Sequence, residues 1–266
     1  MPRQPRQHLV RLYPEIAQAG SLRAAMQAEF DNVGYSLTAS LTSSPGWWDC
    51  ATRVGDDRRH VTTVLTSEVR WFTMEFWERG VMMAHGKTAE LAASAAAINL
   101  WQTGSRLREL RAAFPFVRFG ELAEAYEQGD PVETHWKSYR RTQVPYIDHD
   151  LIEAAYAQPR LRVLFPYTSH ETLHLSRCTR FPYTHDIPGI TPLRDGTYQV
   201  SWPRPRSIIG HADTPSEAVR LVVDHLPDDC RAAVDATAVE LADADFTRGP
   251  DDRAAARRSD ETGPAL

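Results

Sequence analysis

Residues Ile208–Ala218, Ile-Ile-Gly-His-Ala-Asp-Thr-Pro-Ser-Glu-Ala, place a short hydrophobic strand directly before a helix. Thr214 is of a residue type that caps helices, and Glu217 follows it by three positions, so the two form a capping box. Apolar residues then recur at helical spacing as far as Leu226. This stretch therefore predicts a strand, a capped junction and an amphipathic helix that packs on a sheet.

The same order of residues occurs earlier in the chain, at Met82–Ala92, Met-Met-Ala-His-Gly-Lys-Thr-Ala-Glu-Leu-Ala. Placing the two stretches side by side without gaps pairs His85 with His211 and Thr88 with Thr214. Few residues are identical, but a hydrophobic strand, a histidine, a threonine N-cap and an apolar helix follow one another in both. We therefore expect a pseudo-duplication, with two related α+β units.

Short segments rich in β-branched and aromatic residues lie around both stretches and are separated by turn residues. In the first half they are Leu37–Ser43, Trp47–Val54, His60–Thr66 and Arg70–Glu78, and strand-like residues return between Leu161 and Ile209. In the fourth segment Phe72, Met74 and Phe76 alternate with more polar residues, which is typical of a half-buried strand. Each unit is predicted to be an antiparallel sheet with a helix across it.

The predicted organisation has five parts along the chain. They are a flexible N-terminus (1–11), a first α+β unit (12–104), a helical connector (105–158), a second α+β unit (159–242) and a disordered tail (243–266). The connector is predicted because the segments after Gly104 have helical spacing with glycine or proline between them. The tail is predicted because it lacks periodic apolar residues.

Composition excludes several classes of partner. The chain has 266 residues, of which 42% are hydrophobic, so it can bury a sizeable core. Its net charge of −5 disfavours nucleic acid as a partner, since binding to phosphates relies on dense Lys and Arg. It contains no run of about 18 apolar residues, so we expect no membrane partner and a cytoplasmic location.

The three cysteines, Cys50, Cys178 and Cys230, are odd in number and widely spaced, which predicts reduced thiols.

Polar groups able to do chemistry are densest in residues 164–202. The tetrapeptide Phe-Pro-Tyr-Thr occurs there twice, at Phe165–Thr168 and Phe181–Thr184, and a histidine follows each copy, His170 and His185. Proline fixes φ and lacks a backbone donor, so each copy predicts a strand end or a bend that holds the following side chains at a rim. This stretch is the leading candidate site.

Three residues of this stretch are candidates for acid–base catalysis. His170 or His185 would act as the general base, and Asp186 would orient an imidazole. Cys178 would be a nucleophile only if a nearby base lowered its pKa. The structural alternative is that the histidines are simply solvated.

Four other residues are candidates for substrate binding. Arg177 would hold a carboxylate or a phosphate, and Tyr167 or Tyr183 would donate a hydrogen bond. Trp71, on the polar side of the segment Arg70–Glu78, would form the floor of a pocket. The alternative is that the aromatic side chains belong to the core and that Arg177 makes a structural ion pair.

His170-Glu171-Thr172-Leu173-His174 has the His-Glu-x-x-His spacing of zinc peptidases, in which both histidines bind zinc from one helix face. The residues from Thr172 onward alternate between polar and apolar, which indicates a strand instead. In a strand the two histidines would lie about 13 Å apart along the chain, too far apart to share one ion. We therefore predict no metal site and no cofactor.

Three stretches resemble a known family: Leu164–Thr179, Thr184–Pro192 and Ile208–Pro227 with its Gly-His-Ala-Asp-Thr-Pro core. They are similar to an actinobacterial family labelled as natural product biosynthesis proteins, the domain of unknown function 6193. The likeness extends back through Arg70–Phe116 and covers most of residues 12–240. What the resemblance implies is a role in secondary metabolism, and it brings no catalytic residue with it.

Two functions fit these observations. The first is a cofactor-independent tailoring enzyme or cyclase, which acts on a natural-product intermediate in a pocket between the two units with His170 and His185 as acid–base groups and Arg177 as the anion anchor. The second is a non-catalytic accessory protein that presents a peptide, a carrier protein or a small molecule to a partner biosynthetic enzyme. The support for the second is that the sequence lacks a complete catalytic signature, and the first ranks slightly ahead of it.

Overall fold

The computed structural model describes residues 7–41, 50–142 and 147–247. These residues form eleven helices and two antiparallel sheets, of six and five strands, which confirms the predicted α+β class. The chain divides into two compact units, Met1–Gly129 and Asp130–Leu266. In the described part of the chain, no helix is long and apolar enough to cross a membrane.

The first unit contains a six-stranded meander, in which strands that follow one another along the chain are neighbours in the sheet. Its elements are α1 (Gln7–Leu12), α2 (Pro14–Ala19), α3 (Leu22–Val33), β1 (Ala39–Leu41), β2 (Ala51–Gly55), β3 (Arg59–Leu65), β4 (Phe72–Glu78), β5 (Val81–Thr88), α4 (Leu91–Gln102), α5 (Leu107–Ala113), β6 (Val117–Arg118) and α6 (Glu121–Gln128). Antiparallel neighbours need only short turns, so the meander suits the turn-rich sequence.

Helices α3 and α4 pack on one face of this sheet. The strand alternation predicted for residues 70–78 is confirmed, because Phe72, Met74 and Phe76 are fully buried on the helix-covered side of β4. Residues 42–49, which include parts of two predicted strands, lie outside the described residues.

The hydroxyl group of Tyr13 joins the N-terminal helices to the segment before β4. The side chain is fully buried, and its Oη lies 2.9, 3.2 and 3.0 Å from the carbonyl oxygens of Thr66, Val69 and Trp71. It also accepts a hydrogen bond from the backbone N–H of Trp71, at 2.9 Å. One oxygen atom therefore holds a whole irregular segment in place.

Replacing Tyr13 with phenylalanine is expected to destabilise the first unit by roughly 2 kcal/mol, because a buried N–H loses its acceptor. Hydrogen exchange at the amide of Trp71 would show the effect directly. Tyr35→Phe is the matched control, since in the described residues the Tyr35 side chain makes a ring contact with Phe30 and no hydrogen bond. Equal exchange rates in the two variants would contradict the role of the Tyr13 hydroxyl.

The second unit contains a five-stranded meander with the order β11-β10-β9-β8-β7. Its elements are α7 (Pro131–Arg141), α8 (His149–Ala157), α9 (Pro159–Arg162), β7 (Phe165–Ser169), β8 (Thr172–Ser176), β9 (Gly189–Pro192), β10 (Tyr198–Pro203), β11 (Arg206–Ala212), α10 (Pro215–Asp224) and α11 (Ala238–Thr247). Helices α8 and α10 pack against each other, and α10 also packs on β9, β10 and β11.

A single hydrophobic core lies between these helices and the sheet. Its most buried members are Trp136, Leu151, Ile152, Ala155, Leu161, Leu164, Leu173, Leu175, Ile187, Ile190, Val200, Ala218 and Val222. Trp136 also donates a hydrogen bond from its indole nitrogen to the carbonyl of Leu164, at 3.1 Å, which fixes α7 beside β7. Burial of this face leaves the other side of the sheet for polar and aromatic residues.

The two predicted strand-to-helix junctions differ in detail. Thr214 caps α10 as predicted, because its Oγ1 accepts from the backbone N–H of Glu217 at 3.3 Å. The corresponding prediction for Thr88 is wrong. Thr88 ends β5, and α4 begins only after Glu90 as its N-cap. The pseudo-duplication therefore stays a prediction.

The predicted five parts can be compared with the observed elements. Helix α1 begins inside the segment predicted to be flexible, residues 1–11, of which residues 1–6 lie outside the described part. The helices predicted as a connector, residues 105–158, are divided between the two units. Of the predicted tail, residues 243–247 belong to α11, and residues 248–266 lie outside the described residues.

Candidate ligand site on the second sheet

The strands of the second sheet have two chemically different faces. In β8, Leu173 and Leu175 point into the core, so Thr172, His174 and Ser176 point to the opposite side. We call this opposite side the polar face. Strand register places Tyr167 of β7 beside His174 there.

Three rings form a stack on the polar face. Tyr167 lies nearly parallel to His174, with ring centroids 4.9 Å apart and planes 17° apart. On its other side Tyr167 stacks on Tyr183, with centroids 4.4 Å apart. Tyr183 comes from the irregular segment between β8 and β9. We call Tyr183, Tyr167 and His174 the aromatic stack.

His174 lies against Gly189 of the neighbouring strand β9. A Cβ atom at Gly189 would come within 2.9 Å of the imidazole Nδ1, so only glycine leaves room for the ring in this position. This Nδ1 is buried and has no hydrogen-bond partner in the described residues. Burial, followed by the proximity of His185, lowers the pKa of His174 to about 4, so the imidazole is neutral at neutral pH.

Arg177 and Asp186 form an ion pair beside the stack. Nε of Arg177 donates to Oδ2 of Asp186 at 2.7 Å, and the Nη2 atom contacts the same oxygen. Asp186 thus pairs with a guanidinium group, and its Oδ1 is buried without a partner in the described residues. Burial also lowers the pKa of the adjacent His185. The charge that Arg177 would offer to an anionic ligand is therefore largely balanced by Asp186.

Hydrogen bonds to buried hydroxyl groups fix the segment that carries Tyr183 and His185. Ser176 Oγ accepts from the backbone N–H groups of Cys178 and Thr184, and Thr184 Oγ1 accepts from the N–H of Arg177 at 3.0 Å. The segment 233–238 adds backbone hydrogen bonds along residues 177–182. Strand β8 therefore positions the second Phe-Pro-Tyr-Thr copy over the polar face.

Cys178 is not a nucleophile in this arrangement. Its side chain is fully buried, and burial raises the pKa of its thiol above the ordinary value. A thiol in that state stays protonated at neutral pH, and the thiolate is the reactive form.

His170 lies at the tip of the hairpin between β7 and β8. His170 and Glu171 have φ values of 50° and 67°, the left-handed values that a two-residue hairpin turn requires. His170 is exposed, and its Nδ1 contacts the hydroxyl group of Ser169. The His-Glu-x-x-His pattern therefore spans a turn and a strand, as its alternation predicted, and not a helix.

The described residues contain no group of three or more His, Cys, Asp or Glu side chains that could hold a metal ion. Trp71, the remaining candidate, lies in the first unit. The ammonium group of Lys87 lies over its ring, 5.2 Å from the centroid. The other six candidates, His170, His185, Asp186, Arg177, Tyr167 and Tyr183, all lie in the second unit.

Several residues of this site were not recognised from the sequence. His174 was considered only as a zinc ligand, although strand alternation from Thr172 onward already placed it on the face opposite Leu173. Gly189 carries no local signal, because its importance comes from the strand register. His135 of α7 packs on Phe165 with ring centroids 4.8 Å apart, and the sequence gives no signal for this contact either.

The fold and the site thus define an α+β protein whose second unit presents an aromatic stack on the polar face of an antiparallel sheet. Residues 130–237 match the model of a family of unknown function (DUF6193). The matched range contains the whole five-stranded sheet and the aromatic stack, and it supports the family resemblance of these sequence motifs. No curated protein and no solved structure matches the chain.

Proposed function

We propose that this chain is a natural-product biosynthesis protein that binds a small planar intermediate on the polar face of its second sheet. The aromatic stack is the observation that supports it. Tyr183, Tyr167 and His174 are only half-buried, and their side-chain polar atoms make no hydrogen bond within the described residues. Amphipathic rings of this kind bind flat ligands by contact area and orient them by hydrogen bonds.

The chemistry of the site favours binding over catalysis. A histidine with a pKa of about 4 is a poor proton acceptor at neutral pH, because the best catalytic pKa lies near the working pH. Burial raises the pKa values of Tyr167 and Tyr183 to about 12, so both phenols stay neutral hydrogen-bond donors. His170 is exposed at a hairpin turn, where its side chain contacts only the hydroxyl group of the adjacent Ser169 among the described residues.

A tailoring enzyme or cyclase is the second candidate function. It is favoured by the proximity of two neutral imidazoles, His174 and His185, each of which has a buried Nδ1 without a partner in the described residues. In that role His185 would act as the base, His170 would be the alternative base, and Asp186 and Arg177 would complete the site. Turnover of an intermediate that stops in His185→Ala but not in Phe181→Leu would support it.

The biological setting also belongs to this proposal. We propose an actinobacterial pathway of secondary metabolism because of the family resemblance, and a cytoplasmic location because the sequence has no run of about 18 apolar residues. A protein that only binds an intermediate needs an enzyme to supply or consume it, so we propose a partner biosynthetic enzyme as well.

The proposed site is tested by replacing Tyr183 with leucine. A ligand of about a dozen non-hydrogen atoms at roughly 0.3 kcal/mol each binds with a Kd of about 1 mM, so we expect 2-naphthamide to bind at that level. Loss of the Tyr183 ring should raise the Kd about fivefold or more, since an aromatic pair contributes roughly 1 kcal/mol. Saturation-transfer NMR titrations measure this weak binding.

Phe181→Leu is the matched control for this experiment. Phe181 is 63% exposed and meets Tyr183 edge-on, at 90°, outside the parallel stack. Its replacement should leave the Kd of 2-naphthamide within about twofold, because it provides no face of the stack. If Tyr183→Leu binds the probe as tightly as this control does, the polar face is not the site.

A further inference from the structure

Around the aromatic stack, Asp186 Oδ1 and the Nδ1 atoms of His174 and His185 lack partners but are buried, and the unpartnered polar atoms that are not buried are mostly donors. In the described residues, the phenol groups of Tyr167 and Tyr183 make ring contacts but no hydrogen bonds. Arg204, in the turn between β10 and β11, is exposed and makes no ion pair with a described residue. These groups leave hydrogen-bonding capacity for a ligand.

The position of His174 determines which of its nitrogens donates. A neutral imidazole carries one proton, on either Nδ1 or Nε2. Nδ1 lies over the α-carbon of Gly189, where no oxygen or nitrogen acceptor would receive an N–H from it. A bare Nδ1 lone pair is compatible with the weakly polar Cα–H group. We therefore assign the proton to Nε2, which makes this nitrogen a donor.

The charged side chains around the stack leave one positive charge unpaired. Arg204 directly follows β10, three residues after Ser201, which pairs with Gly189 beside His174. Its positive charge acts on both Tyr167 and His185. Asp186 is the carboxylate that acts on His185, and it is already paired with Arg177. The site therefore combines neutral donors with an unpaired positive charge, although the chain as a whole has a net charge of −5.

We infer that the ligand of this site is a planar conjugated carboxylate, whose ring system lies against the aromatic stack and whose anionic oxygens accept hydrogen bonds from Tyr167, His174 and Arg204. This inference rests on the proposed binding function and adds the chemical class of the ligand. A protonated amine would find no accessible carboxylate here, because Oδ2 of Asp186 is paired with Arg177 and its Oδ1 is buried. An acceptor without charge would gain little from Arg204.

The test compares 2-naphthoate with 2-naphthamide, which have the same shape and differ in charge. In the wild-type chain we expect the carboxylate to bind about fivefold more tightly than the amide, because charge-assisted hydrogen bonds are the stronger ones. Arg204→Gln should remove this difference and leave the Kd of the amide within about twofold. Adding salt should weaken the binding of the carboxylate selectively.

Arg194→Gln is the matched control, because it removes the same charge from the turn at the other end of β10. This variant should still bind 2-naphthoate about fivefold more tightly than 2-naphthamide. Equal or weaker binding of the carboxylate in the wild-type chain would overturn the assignment of the ligand class while the binding site itself stands. Absence of binding by both probes would instead overturn the proposed function, and a preference that survives in Arg204→Gln would overturn the role of Arg204.

Discussion

Replacing Ser176 with alanine is expected to accelerate amide hydrogen exchange in residues 177–186 about 100-fold. The side chain is fully buried, and its Oγ accepts hydrogen bonds from the N–H groups of Cys178 and Thr184 at 3.1 and 3.2 Å. It also donates to the carbonyl of Cys178 at 2.7 Å. Alanine leaves two buried N–H groups without an acceptor, at a cost of about 3 kcal/mol in total.

Hydrogen exchange is the suitable measurement because the chain has two units and need not unfold in one step. Ser201→Ala is the control, since Ser201 lies half-buried on the polar face and its side chain makes no hydrogen bond with a described residue. The control should change exchange in residues 177–186 less than about threefold. If Ser176→Ala behaves like the control, the hydroxyl group does not hold the segment.

Because this segment carries Tyr183, the same substitution should also weaken ligand binding without touching the ligand. A loosened segment has to be ordered again when the ligand binds, and this ordering subtracts from the affinity. We therefore expect the stability of the segment and the affinity of the proposed site to be coupled through Ser176.

Acidification is expected to destabilise the second unit as the pH falls from 6.5 to 4. The ring of His135 lies between those of Tyr139 and Phe165, with centroids 4.7 and 4.8 Å away. Burial lowers its pKa from 6.5 to about 4 and outweighs the opposite effect of a hydrogen bond with the backbone of Pro166. A shift of this size corresponds to about 3 kcal/mol, which partial exposure reduces to roughly 2 kcal/mol.

The sign follows from the protons bound in each state. Above pH 6.5 His135 is neutral in both the folded and the unfolded chain, so stability does not depend on its titration. Between pH 6.5 and about 4 the unfolded chain binds a proton that the folded chain does not, and the free energy of unfolding decreases. Below about 4 both states are protonated and the decrease ends. His174, whose pKa is also about 4, adds a second decrease over the same range.

His135→Phe keeps an aromatic ring between its neighbours and removes the titration. Urea titrations from pH 7.5 to 4, followed by pulse-labelled hydrogen exchange of β7, measure the free energy of unfolding at each pH. In His135→Phe this free energy should decrease only by the smaller amount that is due to His174. His211→Gln is the control, because His211 is exposed on β11. An acid-induced loss in His135→Phe equal to that in the control would show that His135 is not its source.

Local patterns were sufficient to predict the class of the fold. The alternation of Phe72, Met74 and Phe76 predicted a half-buried strand, and the pair Thr214 and Glu217 predicted the start of a helix, because both signals arise within a few neighbouring residues. The N-cap at Thr88 was predicted wrongly for the same reason. Its local sequence resembles that of Thr214, but pairing with Phe72 extends β5 to Thr88 and delays α4.

The candidate site was predicted in part. The tandem Phe-Pro-Tyr-Thr copies pointed to the region where the aromatic stack lies, and Tyr167 and Tyr183 do meet there. Sequence spacing does not report which side chains oppose each other across strands, so the contact of His174 with Gly189 was not predictable. The pairing of Arg177 with Asp186 also depends on how the segment between β8 and β9 folds back.

The amino-acid sequence alone was enough to determine the strand-rich regions, the capped helix after β11 and the buried faces of β4 and β8, because these depend on residue type and on a period of two or 3.6. Only the tertiary structure decided the protonation states and the exposed charges on the polar face and beside it. The neutral state of His174, the protonated thiol of Cys178 and the exposed charge of Arg204 follow from burial and from neighbours distant in the chain. Such environments arise only when the sheet has formed.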